Sequence, residues 1–236
     1  MRKTFTIAAK ELGCYFKSPI AYITLIIAIS IFNVFFYLII DQNREASLRD
    51  MFKLMEFLFV FIVPLLTMRI FAEEKRSGTI EFLMTAPVTN GTIVLGKYLG
   101  SLIFFTVIVG LTGAYYFIMN YFAKPDQWTM LAGYLGIWLE GALFVAIGLL
   151  TSSWTKNQLI AAITSYVILL GLYFSITFIM YFHGLAEEII RYISVWSHTQ
   201  NLFSGLILTQ DLVYFISGIT FCLILTRLSI DTRIWK

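Results

Sequence analysis

Long apolar runs separated by short polar segments dominate the hydrophobic pattern of this chain. At about 1.5 Å per residue in a helix, six of these runs are long enough to cross, or nearly cross, a hydrocarbon core of roughly 30 Å. The pattern predicts an all-α, polytopic membrane protein with a single transmembrane domain. The predicted spans cover residues 20–40, 51–71, 93–122, 130–151, 159–182 and 212–228.

An amphipathic segment, residues 1–19, precedes the first span. Three lysines, Lys3, Lys10 and Lys17, lie seven residues apart on one face. This pattern is typical of a helix in the headgroup region of an anionic leaflet; the alternative is an ordinary soluble amphipathic helix. The apolar face consists of Phe5, Ala8, Ala9, Leu12, Tyr15 and Phe16.

The polar segment between the second and third spans, residues 72–92, is the best candidate for function. Glu73 and Glu74 follow the apolar run directly, and Ser77 with Gly78 is predicted to begin a short helix that Pro87 ends. At about eight residues this helix is shorter than the roughly 12–15 that an isolated helix needs in water. We therefore expect something outside the segment to hold it. Its apolar face consists of Ile80, Leu83 and Met84.

Local signals also predict helix boundaries. Ser47, with Asp50 three residues later, predicts a capping box at the start of the second helix. Pro64 predicts a kink within that helix, and Thr89 is predicted to cap the third helix, which starts at about Asn90.

Two glycine patterns overlap at the start of the third span. Residues 91–97 read G-x-x-x-x-G-K, but Tyr98 follows where a phosphate-binding loop has Ser or Thr, and no strand pattern precedes the glycines. ATP binding is therefore not expected here. Gly96 and Gly100 form a G-x-x-x-G pair that permits close helix approach, for which packing within the chain is favoured over dimerisation.

Composition and charge agree with a membrane location. Only 13% of the residues are charged, against roughly 25% in soluble domains, which excludes a soluble protein of this size. Of the 17 lysine and arginine residues, twelve fall on the side of the amino terminus and five on the other side. By the positive-inside rule, both termini are predicted to be cytoplasmic.

Glu140 is interpreted as the one acidic residue buried in a span, where an ionisable group is costly. It could contact substrate, respond to protons, or simply be a protonated or hydrogen-bonded side chain near Trp138. His183 and His198 are interpreted as isolated residues without neighbouring carboxylates. Because no intramembrane carboxylate pair is expected, a membrane-embedded hydrolase and an ion-coupled transporter are both disfavoured.

The outer connection at residues 183–211 is half apolar. Such a segment can form short helices that dip into the outer interface or cover a cavity; the alternative is a packed cap without a transport role. Its apolar stripe consists of Leu185, Ile189, Tyr192, Ile193 and Trp196.

At this point the chain resembles the permease subunit of a type-2 ABC exporter, most closely the gliding-motility-type and copper-maturation-type permeases. The most specific match is the inner loop with its flanks, PLLTMRIFAEEKRSGTIEFLMTAPVTNGTIVLGKYLG. The other matches are residues 10–23, an elbow helix leading into the first span; residues 144–162, the turn between the fourth and fifth spans; and residues 203–226, the approach to the sixth span.

In this family the short helix of the inner loop is the coupling helix, which docks on a separate ATPase subunit. Two positions depart from the family pattern, Gly91 and Thr92. The residues that match it are Glu73, Glu74, Gly78, Thr79, Glu81, Leu83, Pro87 and Lys97. The predicted ATPase-coupling residues are Glu73, Glu74, Gly78, Thr79, Ile80, Glu81, Leu83, Met84 and Pro87.

The resemblance implies a non-catalytic subunit of an ATP-dependent exporter in the bacterial inner membrane. A dimer of ATPase subunits would bind ATP and magnesium, so no cofactor of the permease itself is expected. A second permease copy, identical or related, would complete the translocation path, and an envelope protein is a further partner; no nucleic acid is expected. The alternative is a membrane scaffold or receptor that binds a cytoplasmic partner, while a membrane enzyme is disfavoured.

Overall fold

The computed structural model describes residues 2–43, 47–80, 88–122, 125–181 and 184–231, which contain helices and no strands. A 3-10 helix, Ser175–Tyr181, follows α8. The α-helices are α1 (Arg2–Phe16), α2 (Pro19–Asn43), α3 (Arg49–Thr67), α4 (Arg69–Ser77), α5 (Asn90–Thr112), α6 (Ala114–Phe122), α7 (Gln127–Trp154), α8 (Gln158–Phe174), α9 (Leu185–Ile193), α10 (Val195–Phe203) and α11 (Thr209–Asp231).

Six helical stretches within these residues are long and apolar enough to cross a membrane, which confirms the predicted all-α polytopic fold. Two stretches differ in detail from the predicted spans. The second extends beyond residue 71 to Ser77 and comprises α3 and α4. The third comprises α5 and α6, which are separate helices on either side of Gly113.

The fourth stretch, α7, lies at the centre of the bundle. Of its most apolar 18-residue window, 78% is buried, against 17% for α2 and 22% each for α8 and α11. Glycines let the neighbouring helices approach α7 closely. A Cβ atom at Gly133 would lie 2.1 Å from the Phe52 ring, and one at Gly148 would lie 2.0 Å from Thr67 Oγ1. Helices α2, α8 and α11 therefore form the periphery and present apolar side chains outward.

The boundary signals have mixed outcomes. Thr89 caps α5 as predicted, because its hydroxyl accepts from the Thr92 backbone N–H at 3.3 Å. The capping box at Ser47 is wrong: Leu48 occupies the N-cap position, and the Ser47 hydroxyl accepts from Arg49 N instead. Pro64 lies inside α3, and the helix is interrupted about one turn after it, at Met68 between α3 and α4.

Two short helices, α9 and α10, connect the 3-10 helix to α11. Helix α9 has no buried residue, whereas α10 packs into the bundle. The predicted apolar stripe stays at the surface of both helices, with Leu185 being 75% exposed and Trp196 38% exposed. Buried instead are Val195, His198, Thr199, Leu202 and Phe203 of α10.

Candidate functional site

The carboxyl-terminal end of the second span is attached to the carboxyl-terminal end of the fourth span. Because the helix breaks at Met68, N–H groups in the first turn of α4 lack partners within the helix. The Ser152 hydroxyl of α7 accepts from Phe71 N at 2.9 Å and Ala72 N at 3.1 Å, and donates to the Met68 carbonyl at 3.0 Å. Ser152 therefore joins α4 to α7 at the break itself.

Lys97 of α5 makes the central ionic contact of this region. Its ammonium lies 2.8 Å from Glu74 Oε1 of α4 and 3.1 Å from Glu11 Oε2 of α1, and it donates to the Ile70 carbonyl at 3.0 Å. The Lys97 side chain is 2% exposed. An ammonium has three donors, and here each one has an oxygen acceptor. One buried cation thus connects three helices.

A second lysine connects α4 to two further helices. The Lys75 ammonium, which is buried, donates to the Ser153 carbonyl at the end of α7. The Ser153 hydroxyl in turn bonds to the Ser229 hydroxyl of α11 at 3.0 Å. Helix α4 is therefore tied to the carboxyl-terminal ends of both the fourth and sixth spans.

Helix α1 packs directly on α5 through the G-x-x-x-G pair. A Cβ atom at Gly96 would lie 2.7 Å from Ile7 Cβ, and one at Gly100 would lie 2.8 Å from the Ala8 carbonyl oxygen. Backbones can approach this closely only where side chains are absent. The pair therefore serves packing within the chain.

Tyr15 attaches the carboxyl-terminal end of α1 to the bundle. Its hydroxyl lies 3.0 Å from the Leu66 carbonyl and 3.2 Å from Ser101 Oγ, and its ring stacks on Phe104 with centroids 4.7 Å apart. Burial raises the pKa of the Tyr15 phenol above its usual value. The amphipathic helix thus lies against the bundle as well as carrying exposed apolar residues such as Phe5, which is 64% exposed.

Replacing Gly100 with alanine should displace α1 from α5. The new methyl group would meet the Ala8 carbonyl, a backbone atom that cannot rotate away, so we expect a loss of about 1–3 kcal/mol in unfolding free energy. Gly110→Ala is the matched control on the same helix, because nothing lies within 4 Å of its Cβ position. Thermal unfolding in detergent measures both; equal melting temperatures for the two variants would contradict the close contact.

A cleft of about 480 Å³ opens between α1 and α4. Lys10, Lys17 and Arg69 bring positive charge to it, while Glu73 and Glu74 line it from α4. The Arg69 guanidinium lies 4.8 Å from the Tyr15 ring centroid and donates to Ser18 Oγ. This face of the bundle therefore carries charges of both signs around the start of the segment that connects the second and third spans.

Four of the predicted coupling residues lie around the end of α4. Glu73 and Thr79 are exposed, Glu74 is half-buried because it binds Lys97, and Gly78 is exposed with a left-handed φ of 74°. Ile80 is half-buried and packs against the core. Lys97, which matches the family pattern, is buried and binds Glu74. The remaining coupling residues, Glu81, Leu83, Met84 and Pro87, lie outside the described residues.

The prediction that Ser77 and Gly78 begin the coupling helix is wrong. Ser77 ends α4, its hydroxyl donating to the Glu73 carbonyl at 3.0 Å, and Gly78 is the left-handed C-cap. A left-handed φ favours glycine because it has no Cβ. Helical backbone resumes at Thr79. Glu73 and Glu74 therefore extend the second span instead of starting a free loop.

A family model described as ABC-2 family transporter protein matches residues 5–230. The chain belongs to the ABC-2 transporter family. No curated protein matches it. As an ABC-2 permease it is a multi-pass membrane subunit of an ABC transporter, of a family whose members are typically non-catalytic and associate with an ABC ATPase.

The interpretation of Glu140 as the one buried acid is wrong in this permease. Glu140 of α7 is fully buried, but so is Glu56 of α3, which lies inside the predicted second span. Trp138 does not bond to Glu140; its indole N–H donates to Thr106 Oγ1 at 2.9 Å. Both oxygens of Glu140 lack a hydrogen-bond partner among the residues that the structure describes. Glu56 could have been recognised as a buried acid from the sequence, because it lies within the predicted second span.

The interpretation of His198 as lacking a carboxylate neighbour is also wrong. His198 Nδ1 of the permease lies 2.6 Å from Asp211 Oδ1, and Nε2 lies 3.0 Å from the Tyr192 carbonyl. Asn201 donates to the other Asp211 oxygen at 3.1 Å. His183 lies outside the described residues. Thirteen residues separate His198 from Asp211, so sequence proximity gives no signal of this pair.

Proposed function

We propose that this permease forms the translocation path of an ABC exporter as a dimer, and that separate ATPase subunits drive it through residues 69–87. The observation that carries the proposal is the attachment of α4. Ser152 and Lys75 tie α4 to α7, and Lys97 ties it to α1 and α5. Force applied beyond Gly78 therefore reaches the cytoplasmic ends of several spans.

The coupling residues would have two roles. Glu73, Gly78, Thr79, Ile80, Glu81, Leu83, Met84 and Pro87 would form the docking surface for the ATPase. Glu74 would instead transmit the movement inward, because it is held by Lys97. The ATPase partner would bind ATP and magnesium. The resemblance to gliding-motility-type and copper-maturation-type permeases supports export or force transmission in a bacterial inner membrane, with both termini cytoplasmic and an envelope protein as a further partner.

Introducing positive charge at the coupling residues tests whether they dock on the ATPase subunit. We expect Glu81→Lys combined with Leu83→Lys to abolish co-purification of the ATPase subunit and to reduce permease-dependent ATP turnover by about tenfold or more, since a few residues carry most of the binding energy of an interface. The matched control is Glu187→Lys on α9, a charge reversal on the side where five basic residues are predicted. Unchanged association and turnover in the loop variant would refute the coupling assignment.

The same experiment distinguishes the scaffold or receptor alternative. A scaffold would hold a cytoplasmic partner through this loop without moving a substrate. Loss of association with no change in substrate movement across reconstituted vesicles would favour the scaffold, whereas loss of both favours the exporter.

A further inference from the structure

Two buried carboxyl groups face one another in the outer half of the bundle. The contacts of Phe52 with Gly133 and of Thr67 with Gly148 fix a single register between α3 and α7. In that register Glu56 lies level with Ile137, which is three residues before Glu140, or roughly 4.5 Å away along the axis. Glu56 and Glu140 are both 0% exposed.

The pair has few hydrogen-bond partners. The Thr199 hydroxyl of α10 lies 2.6 Å from Glu56 Oε1. Glu56 Oε2 and both oxygens of Glu140 have none among the described residues. The Thr199 hydroxyl donates to Glu56 Oε1, and it also lies 3.1 Å from the Trp196 carbonyl. Three carboxyl oxygens therefore remain without a donor in the described part of the chain.

The charged and titratable groups around the pair do not neutralise it. Lys53 is within electrostatic reach of Glu56, but it is exposed and bound to Asp50 at 2.9 Å. The phenol of Tyr173 on α8 interacts with both carboxyl groups, and that of Tyr214 on α11 with Glu140. On α5, Tyr98 donates to the Ala142 carbonyl at 3.3 Å. These phenols carry no positive charge.

The surroundings limit what can occupy this place. Two unpaired carboxylates within a membrane protein would be very costly, so the pair must bind a positive species. A fully buried side chain has no surface that water can touch, so a hydrated ion has no room. We propose that Glu56 and Glu140 form a proton-binding pair that releases a proton to the outer side when α10 moves.

Helix α10 is the barrier between this pair and the outside. Thr199 faces Glu56, while the preceding residue, His198, lines an outer cavity of about 480 Å³. Ser197 and Gln200 also line that cavity, and their Oγ and Nε2 atoms are buried without partners among the described residues. Only the thickness of one helix therefore separates this cavity from the Glu56 carboxyl group.

The release step follows from that arrangement. Moving α10 outward would separate Thr199 from Glu56 and admit water from the cavity. The carboxyl O–H bond then breaks, the proton passes to water, and the carboxylate oxygen keeps the electron pair. The His198–Asp211 contact, which ties α10 to α11 at 2.6 Å, opposes this movement.

Infrared spectroscopy of the purified full-length protein tests the bound proton. We expect the C=O band of a protonated carboxyl group at neutral pH, reduced in Glu140→Gln and in Glu56→Gln and retained in the control Glu187→Gln, whose side chain is 34% exposed and paired with Arg191. Because glutamine imitates a neutral carboxyl group, both variants should have the wild-type melting temperature at neutral pH. At alkaline pH their melting temperatures should fall less than that of the wild type, because glutamine cannot ionise. A band unchanged by both substitutions would mean that neither group carries a proton, and would overturn the proposal.

Proton release rests on the proposed function, because it requires an ATP-driven cycle. Proteoliposomes holding the permease with its ATPase facing outward, and a pH-sensitive dye in a weakly buffered lumen, would report a pH change of the lumen during turnover, separately from the protons that ATP hydrolysis releases outside. We expect the change in wild type and in Glu187→Gln, and its loss in the double variant Glu56→Gln/Glu140→Gln, while ATP turnover continues. Turnover without a pH change in wild type would overturn release, whereas absence of any turnover in wild type would count against the exporter itself.

Discussion

Replacing Lys97 with methionine is expected to lower the free energy of unfolding by about 3 kcal/mol and to abolish permease-dependent ATP turnover. Glu11 and Glu74 would then lose the cation that pairs with both of them. Water can compensate only in part, because their side chains are only 13% and 20% exposed. Removing one partner of a buried ion pair costs about 3–5 kcal/mol, and the lower end applies because both carboxylates keep some contact with water. Thermal unfolding and ATP turnover of the purified complex measure the two effects.

Lys53→Met is the matched control for this variant. Lys53 bonds to Asp50 at 2.9 Å, but both side chains are nearly half exposed. Exposed pairs contribute about 0–1 kcal/mol, so little change is expected. Adding Glu11→Gln and Glu74→Gln to Lys97→Met should recover part of the lost stability, because the unpaired charges are then gone. Equal losses for the Lys97 and Lys53 variants would show that the contact among α1, α4 and α5 carries no special stability.

Replacing Gly148 with alanine is expected to destabilise the contact between α3 and α7. The new Cβ would lie 2.0 Å from Thr67 Oγ1 and 2.7 Å from Thr67 Cβ, and a Cβ atom moves only with its backbone. Helix α3 must therefore move away from α7 just before the break at Met68. Overpacking of this kind costs about 1–3 kcal/mol. We also expect weaker coupling of ATP turnover, because the start of α4 would move away from Ser152.

The control variant Gly171→Ala on α8 is expected to raise the stability of the protein, whereas Gly148→Ala lowers it. Nothing lies within 4 Å of its Cβ position, so alanine should raise stability by about 0.5–1 kcal/mol through helix propensity. Melting temperatures that shift in opposite directions would support the tight contact between α3 and α7. A Gly148→Ala protein as stable as Gly171→Ala would show that the contact can relax at no cost.

Local and periodic features of this permease could be predicted from sequence. The six spans follow from the length of the apolar runs, and the cap at Thr89 follows from a hydroxyl placed three residues before the N–H of Thr92. The length of the second span could not be predicted in this way. Glu73 to Ser77 are polar, but they remain helical because Ser152 and Lys97 supply partners from other helices.

Distant pairings explain most of the remaining misses. Glu56 meets Thr199 across 143 residues, and Ser152 meets Phe71 across 81. A single sequence contains no signal for such partners, since hydropathy reports only that a residue is polar. The burial of Glu56, unlike its pairing with Thr199, could have been predicted, because the predicted second span encloses this residue. Treating Glu140 as the one buried acid hides the second carboxyl group of the pair.

The contact between α1 and α5 determines the order in which the chain can assemble. Glu11 is 86 residues before Lys97, and at about 5–20 residues per second the ribosome needs roughly 4–17 s to synthesise that distance. Until the third span is inserted, α1 lacks the glycine surface on which it packs. Helix α1 therefore reaches its native position only after that interval, and it is open to proteolysis during biogenesis until then.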